Sequence, residues 1–195
     1  MVLAYHVVFG CYGFWLPNDP RGSWSAFVGS WELFRFGKAT KVNTPRSLAS
    51  APHDQARRRA AKETLTFPAV RLTGPQARAV GRGFDQARTE AGYTIHACSV
   101  LPEHVHLVVG RHRRAIGRIM GHVKTRATQH LKSEGLWRHG GRSPWAERGW
   151  KVFLDRPEDV LRAIDYVRRN PQREGLPAQR WWFVTPFEAC PQRGE

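Results

Sequence analysis

Apolar positions run in short blocks near the start of the chain and recur every three or four residues further on. This change of period divides the sequence into elements. Residues 3–10 (LAYHVVFG) are apolar and β-rich and predict a strand. The stretch GFWLPNDPRGSW that follows packs Pro, Asn, Asp and Gly into a loop. Residues 43–62 are rich in Pro, Ser, Ala and Arg and read as an exposed excursion with some helix. Residues 66–72 (TFPAVRL) read as a short edge strand, since Pro68 cannot donate to a central ladder. Thr73 caps a helix with Pro75 in its first turn and Gly92 at its close, and Ala77, Val80, Phe84, Ala87 and Ala91 recur along it at helical spacing. Two strands, 93–100 and 104–110, are joined by a turn at Leu101-Pro102-Glu103. A helix over about 115–133 carries Ile116, Ile119, Met120, Val123 and Leu131 on one side. After a Gly- and Trp-rich loop at 135–149, WKVFL at 150–154 predicts a strand, and a last helix spans about 157–169 and stops before Pro171. The order strand, helix, strand, strand, helix, strand, helix is that of a split βαβ sandwich, ferredoxin-like or RRM-like. It predicts an α+β fold whose antiparallel sheet carries helices on one face plus a C-terminal helix. Residues 1–195 read as one domain with an irregular insertion at about 25–70.

Composition adds a partner. A chain of 195 residues with 41% hydrophobic content, eight Trp and ten Phe can bury roughly 70% of its unfolded surface without staples. Thirty-one Lys and Arg against sixteen Asp and Glu leave a net charge of +15, with clusters at Arg57-Arg58-Arg59, Arg111 to Arg118 and Arg168 to Arg173. A surplus spread along the folded part points to a polyanion, and nucleic acid is the commonest one. Cys11, Cys98 and Cys190 are far apart and form no CxxC pair, which excludes a disulfide framework and a zinc ribbon. The opening MVLAYHVVFG has no basic leader region, and no run approaches the ~20 apolar residues of a membrane span, so a reducing cytoplasm and no membrane are expected.

Two motifs carry candidate chemistry. On a strand, His104, His106 and Val108 face one way while Val105, Leu107 and Val109 enter the core. Imidazoles two residues apart stand ~6.5 Å from one another, a spacing that suits two ligands of one divalent ion. The pair alone reads equally well as polar residues on a solvated face, and a metal site needs a third ligand. His6 and His96 read as packed strand residues, and His112, His122, His130 and His139 as phosphate-contacting or solvated. Valine at 108 excludes a histidine-triad hydrolase. In the last helix Val160, Ala163, Ile164 and Val167 form an apolar stripe with Leu161 at its margin, whereas Tyr166 shares another face with Arg162 and Asn170. A surface tyrosine is the plain reading. The sharper one is a nucleophile: a phenol is almost wholly protonated at neutral pH, so attack on phosphorus needs cationic surroundings and a polarised electrophile. Arg162 or Arg169 supplies the potential, and the Asn170 carboxamide completes a site for Mg²⁺ or Mn²⁺.

The constellation resembles a known family. His104-Val105-His106 matches the HUH motif, and Tyr166 follows sixty residues after His106 in AIDYVRRNPQREGL. Together they resemble the single-tyrosine HUH transposases of insertion-sequence type, and within these the REP-associated tyrosine transposase-like proteins, which share a Tyr-x-x-x-Asn-Pro ending. YHVVFGCYGFWLPNDPRGSW and PWAERGWKVFLDRPEDV are similar to the family too, so the resemblance spans nearly the whole chain, least securely at 25–70.

The resemblance implies a catalytic last helix. Tyr166 would attack a DNA phosphodiester, giving a 5′-phosphotyrosine link and a free 3′-hydroxyl that later reverses the step. His104, His106 and Asn170 would bind Mg²⁺ or Mn²⁺. Better-known insertion-sequence members have Gln where Asn170 stands. The implied partner is single-stranded DNA with hairpin or inverted-repeat elements, and a homodimer is one assembly the family allows. Arg113, Lys124 and Arg126 read as phosphate contacts beside Arg162 and Arg169. Asp19, Arg21 and Trp24 read as shaping a DNA-binding loop, while Trp145, Trp150, Trp181 and Trp182 either stack on bases or pack in the core. Two rival functions remain: a non-catalytic RRM-like nucleic-acid binder, and a metal-dependent nuclease that uses water.

Overall fold

Residues 1–44 and 48–188 are described by a computed structural model of the chain. Cys190 and residues 45–47 of the 43–62 excursion lie outside the described residues. Four strands, β1 (Ala4–Gly10), β2 (Ile95–Val100), β3 (His104–Gly110) and β4 (Trp150–Leu154), form one sheet in the order β2-β3-β1-β4 with every neighbouring pair antiparallel. The helices are α1 (Trp31–Phe34), α2 (Gln55–Glu63), α3 (Gly74–Ala91), α4 (Ile116–Ser133) and α5 (Pro157–Arg173). With β3 inserted between β1 and β2, and β1 between β3 and β4, both βαβ units are split, which is the ferredoxin-like α+β arrangement. No helix among the described residues is long and apolar enough to cross a membrane.

Alternation along β1 and β3 assigns their residues to two different layers. Val7, Phe9, Val105, Leu107 and Val109 join Val80, Phe84 and Ala87 of α3 and Ile119, Val123, Ala127 and Leu131 of α4 in the larger core. The opposite face packs Ala4, Ala97, Val108 and Leu154 against Val160, Ala163, Ile164 and Val167 of α5. Thus α3 and α4 cover one face, and α5, joined by Phe187 of the tail, covers the other. The Thr73–Gln76 capping box and the left-handed Gly92 bound α3 at the expected positions.

Two boundaries differ from expectation. Residues 66–72 form no strand. Their backbone donates from Val70 to Tyr12 (2.9 Å) and from Leu72 to Pro102 (2.7 Å), two different segments, so the run seals a seam instead of extending a ladder. The last helix does not stop before Pro171 but continues to Arg173. Proline there loses its own bond to the carbonyl four residues back and crowds that carbonyl, but Pro171 and Asn170 are both buried, so packing offsets these costs. Glu174 then donates to the Asn170 carbonyl (3.2 Å) and Leu176 to that of Pro171 (2.9 Å).

After α5 the chain turns back along β2. The Gln179 side chain both accepts from the Val100 N–H (2.9 Å) and donates to its carbonyl (2.8 Å), and the Thr185 N–H donates to the Ile95 carbonyl (2.8 Å). Phe183 enters the larger core.

Candidate active site

β3 presents His104 and His106 to the α5 side of the sheet, because its alternate residues Val105, Leu107 and Val109 are claimed by the other core. Both imidazoles are nearly buried, with ring centroids 4.9 Å apart. On the neighbouring strand the register pairs Val8 with His106 and His6 with Val108, which brings His6 onto the same face. His6 Nε2 lies 3.1 Å from His106 Nδ1, and the rings stack at 5.3 Å. If the Nδ1–H of His106 donates to His6, the Nε2 lone pair of His106 is left for a ligand. Burial pulls His6 down to about 4 and His104 to about 4, the latter against a smaller opposing pull from Glu103. Burial also holds His106 well below the ordinary imidazole range, and its two histidine neighbours add to this. At neutral pH all three are therefore uncharged and can act as ligands.

α5 crosses above this cluster. Tyr166, Asn170 and Glu174 follow at intervals of four, so they form one row along the helix. At one end the Tyr166 ring meets His106 at 5.6 Å and His6 at 5.8 Å, both edge-on. At the other end Glu174 Oε1 lies 3.5 Å from His104 Nε2. Asn170 stands midway along the row between these two contacts and is buried, 6% exposed. The guanidinium of Arg173 lies 5.2 Å from the Tyr166 ring centroid. Burial raises the carboxyl of Glu174, with a further push from Glu103.

Neutral imidazoles, a carboxamide oxygen and a carboxylate are donor types that Mg²⁺ or Mn²⁺ accepts. Asn170 Nδ2 and His104 Nδ1 are buried without partners, which marks a polar pocket whose bonding is incomplete within the protein. Among the described residues no three His, Cys, Asp or Glu side chains form a ready ligand cluster. An ion here would rest on a mixed set: two imidazoles, the Asn170 carboxamide oxygen and the adjacent Glu174 carboxylate.

The remaining candidates fall into two groups. Tyr166, His104 and His106 come together, and Asn170 is buried one helical turn on from Tyr166. Arg162 and Arg169 also stand on α5, but on its exposed side, ion-paired with Asp159 and, at 2.8 Å, with Asp165. The cation nearest the phenol ring is instead Arg173. Lys124 and Arg126 belong to α4, across the sheet from the histidines. Lys124 is drawn down to about 8 by burial and donates to the carbonyl of Ala146 at 2.8 Å. Arg126 pairs with Glu90 at 2.7 Å. Arg113 is exposed in the turn between β3 and α4.

In the loop after β1, Asp19 and Arg21 form a buried ion pair at 2.8 Å, and Arg21 covers the Trp15 ring at 3.9 Å, so both brace the loop from within. Of the tryptophans, Trp145 is core, Trp181 packs against Gly81, and Trp182 bonds Asp85 at 2.7 Å. Trp150 alone reaches the site.

Three participants escape a reading of the sequence by motif: His6, Glu174 and Phe14. The Phe14 ring stacks on His104 at 4.7 Å, a position open only because residue 10, opposite His104, is glycine. A Cβ there would lie 2.9 Å from the Phe14 ring. Alternation along β1 gives the one signal for His6, since it shares parity with Ala4, which faces α5.

No family model matches the chain, and no curated protein matches it. Among solved structures, the chain is similar to a REP-associated tyrosine transposase bound to a REP hairpin, with 14% identity and a TM-score of 0.49 over 90% of this chain and 70% of that one. It is also similar to a candidate transposase from Deinococcus radiodurans R1, with 12% identity and a TM-score of 0.45 over 92% of this chain and 94% of that one.

Proposed function

We propose that this protein cuts and rejoins single-stranded DNA as a transposase of the single-tyrosine HUH type, with Tyr166 as nucleophile. The observation that carries the reading is the alignment of α5 with β3: the phenol ring lies 5.6 Å from the His106 ring, and Asn170, one helical turn on, is buried. Two unrelated sequence motifs, sixty residues apart, thus meet in one place. A histidine pair kept for packing alone would need no tyrosine ring edge-on to both His106 and His6.

The residues divide the work as follows. His104, His106 and Asn170 would hold Mg²⁺ or Mn²⁺, and such an ion would supply Lewis-acid polarisation of the phosphate. Tyr166 Oη attacks phosphorus, the bond to the 3′-oxygen breaks, and the chain is left joined to the 5′-phosphate with a free 3′-hydroxyl. Attack by a 3′-hydroxyl on that linkage restores a diester and frees the tyrosine, so the bond energy is conserved and no nucleotide cofactor is consumed. The Arg173 guanidinium, 5.2 Å from the Tyr166 ring centroid, brings positive charge beside the phosphate that the tyrosine attacks. The net charge of +15 gathers the polyanion, whose hairpin or inverted-repeat form follows from the family resemblance.

The test is incubation of the protein with Mn²⁺ and a hairpin-bearing oligonucleotide, followed by denaturing electrophoresis. A covalent protein–DNA adduct is expected, and Tyr166→Phe and His106→Ala should both lose it while still binding the oligonucleotide. An adduct that persists in Tyr166→Phe removes the nucleophile assignment. Cleavage with no adduct would instead establish a hydrolytic nuclease, and binding without cleavage an RRM-like binder.

A further inference from the structure

Beyond the reacting groups, the candidate site has an aromatic extension towards solvent. Trp150, at the start of β4, meets the His6 ring edge-on at 5.9 Å, and His6 meets Tyr166 at 5.8 Å. On its other side Trp150 lies nearly parallel to Trp24, with centroids 6.1 Å apart and an interplanar angle of 27°. Trp24 keeps 42% of its surface exposed. A single row of rings therefore runs from the phenol to an indole in water. Trp24 thus leaves an indole face open at the solvent end of the row, beside the polar cluster.

The indole is not loose. Ser23 donates its N–H to the Thr40 carbonyl (2.9 Å) and accepts from the Val42 N–H (2.8 Å), and the buried Asp19–Arg21 pair holds the loop just upstream. Trp24 therefore stands on braced backbone and is presented without an ordering cost on binding. The occupant must be flat, carry a π face and belong to a polyanion, since the chain bears +15 and Arg173 flanks the far end of the row. A nucleobase of single-stranded DNA meets all three requirements.

We propose that the Trp24–Trp150 pair is a stacking subsite for a base adjoining the phosphate that Tyr166 attacks. This rests on the strand-transfer reading for the position of the phosphate, but base stacking itself needs neither metal nor chemistry. The subsite accepts any base by its face, so it sets where the strand lies and leaves sequence choice to other contacts.

The experiment uses the full chain in EDTA, which silences cutting. Anisotropy measures binding to a hairpin-bearing oligonucleotide in which one abasic position is walked along the single strand. At one position the missing base should weaken wild-type binding roughly 5- to 150-fold. Trp24→Ala should weaken binding of the intact oligonucleotide by a similar factor, and the abasic substitution should then cost nothing more. Trp24→Phe should recover most of the affinity. Trp24→Leu keeps apolar bulk without a π face and should behave like alanine, which separates stacking from loop damage. Unchanged binding in Trp24→Ala, or losses that simply add, overturn the proposal. If Trp24 and the abasic position are coupled while Mn²⁺ yields no covalent adduct, the subsite stands and the strand-transfer reading falls. An adduct without coupling overturns the subsite and leaves strand transfer standing.

Discussion

Three imidazoles share the α5 face of the sheet, and burial keeps each of them neutral well below the pH at which an exposed histidine takes up a proton. The sign of the linkage follows. As pH falls below the unfolded value of about 6.5, the unfolded chain binds protons that the folded chain refuses, so stability is complete above that point and drains away towards pH 4. In metal-free protein, urea unfolding at stepped pH should show a loss on the order of a few kcal/mol over this window. His6→Gln should have a shallower slope, because one of the three sites is gone; an identical slope would mean that His6 is not held neutral. At this scale the sequence shows part of the site. The parity of His104 and His106 along one strand and the departure of Tyr166 from its apolar stripe are local properties, readable from spacing. His6 is not, because its place depends on the register between β1 and β3, whose partners lie one hundred residues apart. Phe14 is hidden for a similar reason, since its seat on His104 exists only through Gly10 on the adjoining strand.

Among the elements, α3 and α4 approach most closely at Gly83. A Cβ built there would lie 2.5 Å from both the Cα and the backbone nitrogen of Ala127, and backbone cannot step aside as a flexible side chain can. Gly83→Ala should therefore destabilise by about 1–3 kcal/mol despite alanine's better helix propensity. Gly121→Ala, on α4 with nothing within reach of the new methyl, should stabilise by up to about 1 kcal/mol. Urea midpoints of the two variants should move in opposite directions, and a shared direction would mean that the helices do not meet backbone to backbone. Period and capping residues make the strands and long helices legible, with α3 bounded by Thr73 and Gly92 as its sequence indicates. Pro171 misleads because the rule for proline describes local geometry, whereas here burial of Asn170 and Pro171 against the sheet carries α5 one turn further. That extra turn brings Arg173 to the tyrosine and Glu174 to His104.

Across the whole molecule, periodicity identifies an apolar face on each helix but not the side of the sheet it will cover. Lys124 and Arg126 illustrate the gap: their charge is plain in the sequence, yet α4 packs on the face remote from the histidines, and both side chains are occupied there by loop carbonyls and by Glu90. The tail after α5 has a comparable long-range effect. Gln179 grips Val100 by both backbone groups, and Thr185 fastens to Ile95 further along the same edge. The tyrosine helix is thus anchored at both ends to its own sheet, by β4 before it and by this clasp after it. Exchange of the helix between two copies would require the clasp to open, so under the proposed function Tyr166 and the histidines are expected to act from the same polypeptide. A mixture of Tyr166→Phe and His106→Ala proteins should accordingly form no adduct, and recovery of activity on mixing would show that copies trade helices. If that outcome holds, the helix and the sheet it rests on form a unit complete within one chain, and a second copy would add a strand to the assembly and not a missing part.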